Sequence, residues 1–497
     1  VLGKANFETE RILECLPPEI LATGVTFEFP FLKKLPFLLR EKDEVYLLIM
    51  KEENNYVIAD GWSKKPENIF GCAIDLGSTT IAIYIYDFLQ DKVIKEFSIF
   101  NPQIKIGEDI LTRLHFARKI ENLYHIQEIT VNAINCVLKE VGEENIYFLS
   151  LCGNTAMTHF LLGFPVNYLI VEPYVPVARW IPILKAKELG FAVNPLARIF
   201  IFPIAGTFFG GDLIAGLYET KIYQRESISF YLDVGTNAEV VLGNKDFLLA
   251  CAGAAGPAIE GGIFACGVQA IEGAIDRFFI DPEKNRIVYR TIGNKKPIGF
   301  CGSAVIPLIA DLYLYDYITP DGKFNLDKLQ SFMITVNGQR ALELVKPEDT
   351  ESGKPVFITE GEIKSFLRSK GAMFTIFQLL IERIGISFDE VEKFYVAGSF
   401  GNRIEVPQAV ILGMLPQSAL EKCEGIGNGA GKGAIKFLKE ANYKEIKEIA
   451  KNITYLELNV EPRFMELLTG ALIIPHVNLD LFPWVIKVKE KKRICFK

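Results

Sequence analysis

The chain has 497 residues, 49% hydrophobic and 23% charged, with a formal net charge of −7. Its length exceeds the roughly 100–200 residues of a common domain, so two to four structural units are expected. The composition excludes a disordered chain, and with no basic run longer than "KVKEKKR" (487–493) it argues against a nucleic-acid partner.

No apolar run reaches the roughly 18–20 residues of a membrane span, and the amino terminus carries no signal-peptide pattern, so a soluble cytoplasmic protein without a membrane partner is expected. The nine cysteines, at 15, 72, 136, 152, 251, 266, 301, 423 and 495, include no CxxC pair, which supports neither zinc nor an iron–sulfur cluster within the chain. The histidines at 115, 125, 159 and 476 are scattered and argue against His-based catalysis.

Residues 1–66 contain the strand-like "EVYLLIMK" (44–51) and "YVIADGW" (56–62) after the Pro- and Phe-rich "FEFPFLKKLPF" (27–37), which predicts a small, mostly β domain closed by "SKKPEN". From residue 70 strands and helices alternate. "GCAIDLGSTTIAIYIYD" (71–87) reads as two strands around a polar tip, and in "GEDILTRLHFARKI" (107–120) Ile110, Leu114 and Ala117 share a helical face.

The grammar restarts at "SFYLDVGTNAEVVLGN" (229–244), and later "LRSKGAMFTIFQLLIERIG" (367–385) reads as a helix feeding the strand "KFYVAG" (393–398). The fold class is α/β with two lobes, 70–228 and 229–456, each opened by an Asp–x–Gly hairpin. Residues 457–497, with an amphipathic helix over "EPRFMELLTGALIIPH" (461–476), are expected to pack back on the first lobe.

A tip rich in Gly, Ser and Thr gathers backbone N–H groups and hydroxyls into a concavity suited to phosphate oxygens. Gly77, Ser78, Thr79 and Thr80 supply them in the first hairpin, and Gly235, Thr236 and Asn237 in the second. Asp75 and Asp233 precede these tips on apolar strands, where a carboxylate needs a cation or donors; hydrated Mg²⁺, which takes only one or two carboxylates, is a natural partner.

Either hairpin alone reads first as a plain turn. The repetition favours two tips clamping a polyphosphate and its metal. "VAGSFGNRI" (396–404) adds small residues that let backbone approach a flat ligand.

"GIGNGAGKGA" (425–434) is neither a Walker A loop nor, following the polar "LEKCE", in the context of a dinucleotide motif; a nucleotide-edge loop or helix start remains. "CGNT" (152–155), "GTFFGGD" (206–212) and "AAGPAIEGG" (254–262) place Asn154, Asp212 and Glu260 at breaks in apolar surroundings, as cleft candidates or as turns.

In their order, "DLGSTT", "DVGTN" and "VAGSFGN" resemble the two phosphate motifs and the adenosine motif of the acetate kinase, sugar kinase, Hsp70 and actin superfamily of ATPases. With "NPQ…GEDILTR", "CGNTAMTH", "GPAIEGG" and "CGSA", the stretch 70–476 is similar to the reductive activators of corrinoid proteins. The resemblance implies a two-lobed ATPase, with residues 1–66 as the small middle or linker-type domain.

It also implies ATP-driven reduction of Co(II) to Co(I) on a partner corrinoid (iron–sulfur) protein, the electron donor unidentified, by a homodimer. Asp75 and Asp233 would hold hydrated Mg²⁺, Gly77–Thr80 and Gly235–Asn237 would cradle phosphates, and Gly398, Ser399, Gly401 and Asn402 would border the adenosine. Asp212 would position the attacking water or the metal shell, and Glu260 would line the site.

Relatives in that family carry an iron–sulfur domain. Because the chain begins at Val1 and shows no such cysteine pattern, a [2Fe–2S] domain upstream of it is the expectation. A small-metabolite kinase of the same superfamily and a nucleotide-gated scaffold are the rival readings.

Overall fold

The computed structural model describes residues 7–41, 44–235, 238–253, 263–281, 286–401, 405–458 and 461–495. Two compact units emerge, Val1–Glu219 with Ala430–Lys451, and Thr220–Gly429 with Asn452–Lys497. No helix among the described residues is long and apolar enough to cross a membrane.

In the first unit two short helices, Glu8–Leu13 and Pro18–Thr23, lead into a three-stranded sheet of β1 (Val25–Phe27), β2 (Tyr46–Lys51) and β3 (Tyr56–Trp62), in the order β1-β3-β2. The Phe- and Pro-rich stretch before β2 folds as helix α1 (Phe29–Glu41) because Phe31, Leu35 and Leu38 fall on one face, and these pack with Ile12 and Ile58 in a small core. Buried Arg198 fastens this domain to the larger sheet through Glu28 and through Glu52 at 2.8 Å.

That larger sheet has six strands: β4 (Phe70–Leu76), β5 (Thr80–Asp87), β6 (Lys92–Phe100), β7 (Ile146–Gly153), β8 (Leu184–Lys185) and β9 (Arg198–Ile201), in the order β6-β5-β4-β7-β9-β8. β4 pairs antiparallel with β5 and parallel with β7, which is parallel to β9. With neighbours on both edges, β4 is a near-continuous apolar run, buried throughout except at Asp75.

Helices α2 (Ile110–Phe116), α3 (Ile120–Lys139), α4 (Thr155–Leu162) and α5 (Gly211–Thr220) complete the run to residue 219. Two helices from much later in the chain, Gly429–Glu440 and Tyr443–Asn452, join this unit rather than the second one. A Cβ at Gly433 would collide with the Ala215 carbonyl of α5, so glycine there permits helix-to-helix contact, and Lys436 Nζ donates to Tyr218 O at 2.7 Å. The expected lobe boundary at 229–456 is corrected accordingly.

In the second unit β10 (Ser229–Val234), β11 (Ala238–Gly243) and β12 (Leu248–Gly253) form a meander. The small sheets β14-β13-β15, from β13 (Ala274–Asp281), β14 (Arg286–Thr291) and β15 (Gly299–Phe300), and β16-β17-β18, from β16 (Met333–Val336), β17 (Gln339–Val345) and β18 (Val356–Thr359), follow. β19 (Lys393–Ala397), β20 (Cys423–Gly427) and β21 (Ile453–Tyr455) complete the six-stranded sheet, ordered β20-β19-β10-β11-β12-β21. As in the first unit, the strand that opens the meander is central and has a parallel neighbour, β19, on its other edge.

Helices α6 (Gly302–Leu314) and α7 (Glu360–Ile384) pack in this unit's core. The sequence expectation started α7 at residue 367; it begins earlier because Thr359 and Glu362 form a capping box, with Thr359 N–H donating to the Glu362 carboxylate at 2.7 Å.

The carboxy-terminal segment differs from expectation. Its helix spans only Phe464–Ala471, short of Pro475, which cannot continue it, and it packs on α7 of the second unit instead of on the first lobe. Gly371 admits the Ala471 carbonyl, 3.0 Å from where a Cβ would stand, and buried Lys370 donates to Ile473 O at 2.5 Å and Pro475 O at 2.8 Å.

Candidate functional site

The β4–β5 ladder ends at the pair Leu76–Ile81, leaving Gly77, Ser78 and Thr79 as the tip, with Thr80 at the start of β5. A Cβ at Gly77 would lie 2.5 Å from Thr80 O, so the tip closes only around glycine. Asn101 Nδ2 donates to Gly77 O at 2.8 Å, Arg113 Nη1 to Ser78 O at 2.6 Å, and Asn101 N–H to Thr79 O at 2.8 Å.

Three consecutive carbonyls are thereby engaged by a loop and a helix that follow β6. Sequence reasoning quoted the segments carrying Asn101, Gln103 and Arg113 but gave these residues no role. The available signal was Arg113 itself, a charge on the apolar face of α2 beside Ile110 and Leu114.

Asp75 is half-buried one residue before the end of β4, in register with Cys152 of β7, whose Sγ lies 4.0 Å from Asp75 Oδ1. Beyond β7, Asn154 caps α4 by accepting Met157 N–H at 2.9 Å. Gly153 lies against Leu76, Gly210 against Asn154, and Thr155 Oγ1 donates to Gly206 O at 2.7 Å. The hairpin, the "CGNT" turn and the start of α5 therefore meet at the carboxyl ends of parallel strands, where ligands bind in open α/β sheets.

Asp212 stands in the first turn of α5, its carboxylate accepting Leu213 N–H at 2.8 Å. Burial pushes its pKa up to about 6, against which the backbone hydrogen bonds pull down. A carboxyl with its pKa raised into that range can exchange a proton near neutrality.

His159 lies close by, on α4, and is fully buried. Its Nε2 accepts Val177 N–H at 3.1 Å, so Nδ1 carries the proton and donates to Thr155 O at 2.7 Å. Burial holds its pKa below the ordinary value, and the ring is a neutral strut for the loop around Val177.

In the second unit the β10–β11 ladder closes with the pair Val234–Ala238, and Asp233 again stands one residue before the strand end. Asp233 pairs with Ala397 of β19, so the loop after β19 begins beside the hairpin. Gly398 has φ +82°, and a Cβ on it would lie 2.6 Å from Val234 O and 3.2 Å from Asp233 Oδ1. Only glycine fits that approach, which places the expected adenosine motif against the expected metal carboxylate.

Gly401 closes the short helix Gly398–Gly401 directly over the Val396 carbonyl. Gly235 is described and uncrowded; Thr236, Asn237, Glu260 and Asn402 lie outside the described residues, as does the Ser399 side chain. "GIGNGAGKGA" begins inside a strand, since β20 (Cys423–Gly427) includes its first three residues, and the helix Gly429–Glu440 follows, so the stretch does start a helix.

Among the described residues no group of three or more His, Cys, Asp and Glu side chains could hold a metal ion. Magnesium needs fewer, since it takes one or two carboxylates and completes its shell with water and phosphate oxygens. Asp75 and Asp233 each offer a hard oxygen donor of the kind such an ion takes.

Residues 227–486 match the family described as the C-terminal domain of RACo, the ASKHA domain, and residues 70–225 match the RACo middle region. The chain belongs to the RACo family. It is 30% identical over 451 residues to the "Corrinoid activation enzyme RamQ" of Eubacterium limosum, covering 86% of this chain and 75% of that one. It is also 24% identical over 401 residues to a "[Co(II) methylated amine-specific corrinoid protein] reductase" of Methanosarcina barkeri, covering 78% of this chain and 73% of the relative.

Among solved structures, a "Reductive activator for corrinoid,iron-sulfur protein" matches with a TM-score of 0.86 and 30% identity, covering 97% of this chain and 78% of that one. The fold is thus that of the ASKHA superfamily, as the ordered motifs implied. One label changes: the family's middle region is the stretch 70–225, not residues 1–66.

Proposed function

We propose that this chain is the nucleotide-driven part of a reductive activator that returns a corrinoid protein from Co(II) to Co(I). The observation that carries the reading is the repeated Asp–x–Gly hairpin, each copy opening the meander of its own six-stranded sheet, in a chain whose relatives are named for corrinoid activation.

Phosphoryl transfer asks a protein mainly to position groups and balance charge. The tips at Gly77–Thr80 and Gly235–Asn237 would receive phosphate oxygens, Gly398, Ser399, Gly401 and Asn402 would border the adenosine, and Glu260 would stand with the lining residues. Asp75 and Asp233 would hold hydrated Mg²⁺, which when bound neutralises phosphate charge. Asp212, with a pKa raised to about 6, would orient the attacking water through a hydrogen bond.

Each Co(II) takes one electron, and hydrolysis of ATP to ADP and phosphate supplies the free energy. The electron would come from an iron–sulfur domain outside this chain, since its nine cysteines contain no CxxC spacing. The working assembly would be a homodimer. Nucleotide can shift the partner only by its differential affinity for two conformations, so ATP affinity and corrinoid-protein affinity should change by the same factor.

The test mixes the protein with a Co(II) corrinoid protein and a chemical one-electron reductant, and follows the Co(I) absorption band with and without ATP. ATP-dependent Co(I), with ATP consumption stimulated by the corrinoid protein, is expected. ATP consumption stimulated by a sugar or carboxylic acid and indifferent to corrinoid protein would assign the chain to metabolite kinases instead.

A further inference from the structure

Arg113 is fully buried, yet among the described residues it makes no ion pair. Its donors all go to main-chain carbonyls: Nη1 to Ser78 O at 2.6 Å, Nε to Gly107 O at 2.7 Å, and Nη2 to Glu108 O at 3.2 Å. Asp109, at the cap of α2, acts on it electrostatically without a direct ion pair, so much of the cost of burying a guanidinium stays uncompensated, and neutral donors would satisfy the same carbonyls, as Asn101 does on either side. The charge itself therefore calls for an explanation.

Asn101 is itself fixed. Its Oδ1 accepts Gln103 N–H at 3.0 Å, and Gln103 is anchored to Thr130 at 2.8 Å in the interior of α3. The brace behind the tip is thus hydrogen-bonded from the sheet to the helix layer, and among the described residues its hydrogen bonds to the tip go to the carbonyls of Gly77, Ser78 and Thr79. Fixing those carbonyls fixes the orientation of the peptide N–H groups joined to them, because each peptide unit is planar.

We propose that Arg113 and Asn101 are positioning residues of the first hairpin, holding its carbonyls so that its N–H groups are set for a polyphosphate, with the buried Arg113 charge favouring that anion. The inference rests on the reading of the tip as a phosphate site. It assigns the "NPQ…GEDILTR" segments a shared task, and it makes binding depend on the number of phosphates rather than on the base.

The experiment measures dissociation constants of the intact protein for ATP, ADP, inorganic tripolyphosphate and adenosine by calorimetry, with unfolding midpoints of the nucleotide-free protein. Arg113→Gln keeps hydrogen-bond donors and removes the charge; Arg113→Lys keeps the charge and removes the fork; Asn101→Ser removes the donor to Gly77. Arg113→Gln is expected to weaken ATP and tripolyphosphate by about 10- to 100-fold, the worth of charged hydrogen bonds, with adenosine within twofold. Arg113→Lys should recover part of that loss, and Asn101→Ser should weaken ATP selectively as well.

Unchanged ATP affinity in the folded variants, or parallel loss of ATP and adenosine, would overturn the proposal. If Arg113→Gln does not fold, Arg113→Lys and Asn101→Ser decide it by the same ratio. Wild-type protein that binds neither ATP nor tripolyphosphate would refute the phosphate reading itself, a separate result.

Discussion

Replacing Asp212 with Asn should stabilise the nucleotide-free protein above pH 6 while slowing ATP hydrolysis. Burial raises the carboxyl from its ordinary 3.8 to about 6, so the native state binds this proton more tightly than the unfolded chain. Below the unfolded value both states are protonated and the group is neutral to stability. As pH rises from about 4 through about 6 the native state must ionise a buried group, and stability falls by up to about 3 kcal/mol.

Part of the residue reaches solvent, which makes that figure an upper one. In a unit of this size a kilocalorie moves the midpoint by about 2–4 °C, so the two proteins should differ by several degrees at pH 8 and converge near pH 4. Scanning calorimetry of wild type and Asp212→Asn across that range isolates the one group from all others that titrate. A difference that does not depend on pH, or a variant less stable than wild type at pH 8, would refute the reasoning.

Asp75→Asn and Asp233→Asn should each lower ATP hydrolysis by at least about 100-fold, as loss of a preorganised charge does, with unfolding midpoints within a few degrees of wild type; coupled-assay rates and calorimetry check both. Gly398→Ala should destabilise the second unit by about 1–3 kcal/mol, because its φ is +82° and its Cβ would press on Val234 O, whereas Gly235→Ala, with nothing within 4 Å, should cost far less; denaturant midpoints give the comparison. Lys370→Met strands the carbonyls of Ile473 and Pro475 and should cost about 2 kcal/mol or more, seen as earlier proteolysis of the carboxy-terminal segment.

The hairpins were legible in the sequence because a carboxylate followed by glycine interrupts a run of apolar residues, and such an interruption is costly unless a ligand or turn repays it. Asp75 and Asp233 stand where that reasoning put them, one residue before the ends of β4 and β10. The arrangement of lobes was less legible. Reading units as continuous stretches assigned 430–451 to the second, although the packing of Gly433 on Ala215 takes those helices to the first.

The same limit explains Arg113 and Lys370, buried basic side chains held by main-chain carbonyls. Arg113 sits on a helical face with Ile110 and Leu114, and Lys370 on one with Leu367 and Phe374, and a sequence reader assumes that such long side chains reach out to water. Neither does. Each stays fully buried because carbonyls come to meet it, from Ser78 on an earlier hairpin and from Ile473 and Pro475 on a later segment. Sequence periodicity records the interruption of an apolar face, but the partners are backbone atoms, which every residue carries and which leave no mark in side-chain pattern. A charge that breaks an apolar helical face is therefore best read as a question about which distant loop it fastens, and at Arg113 the loop is the one that would hold the phosphates.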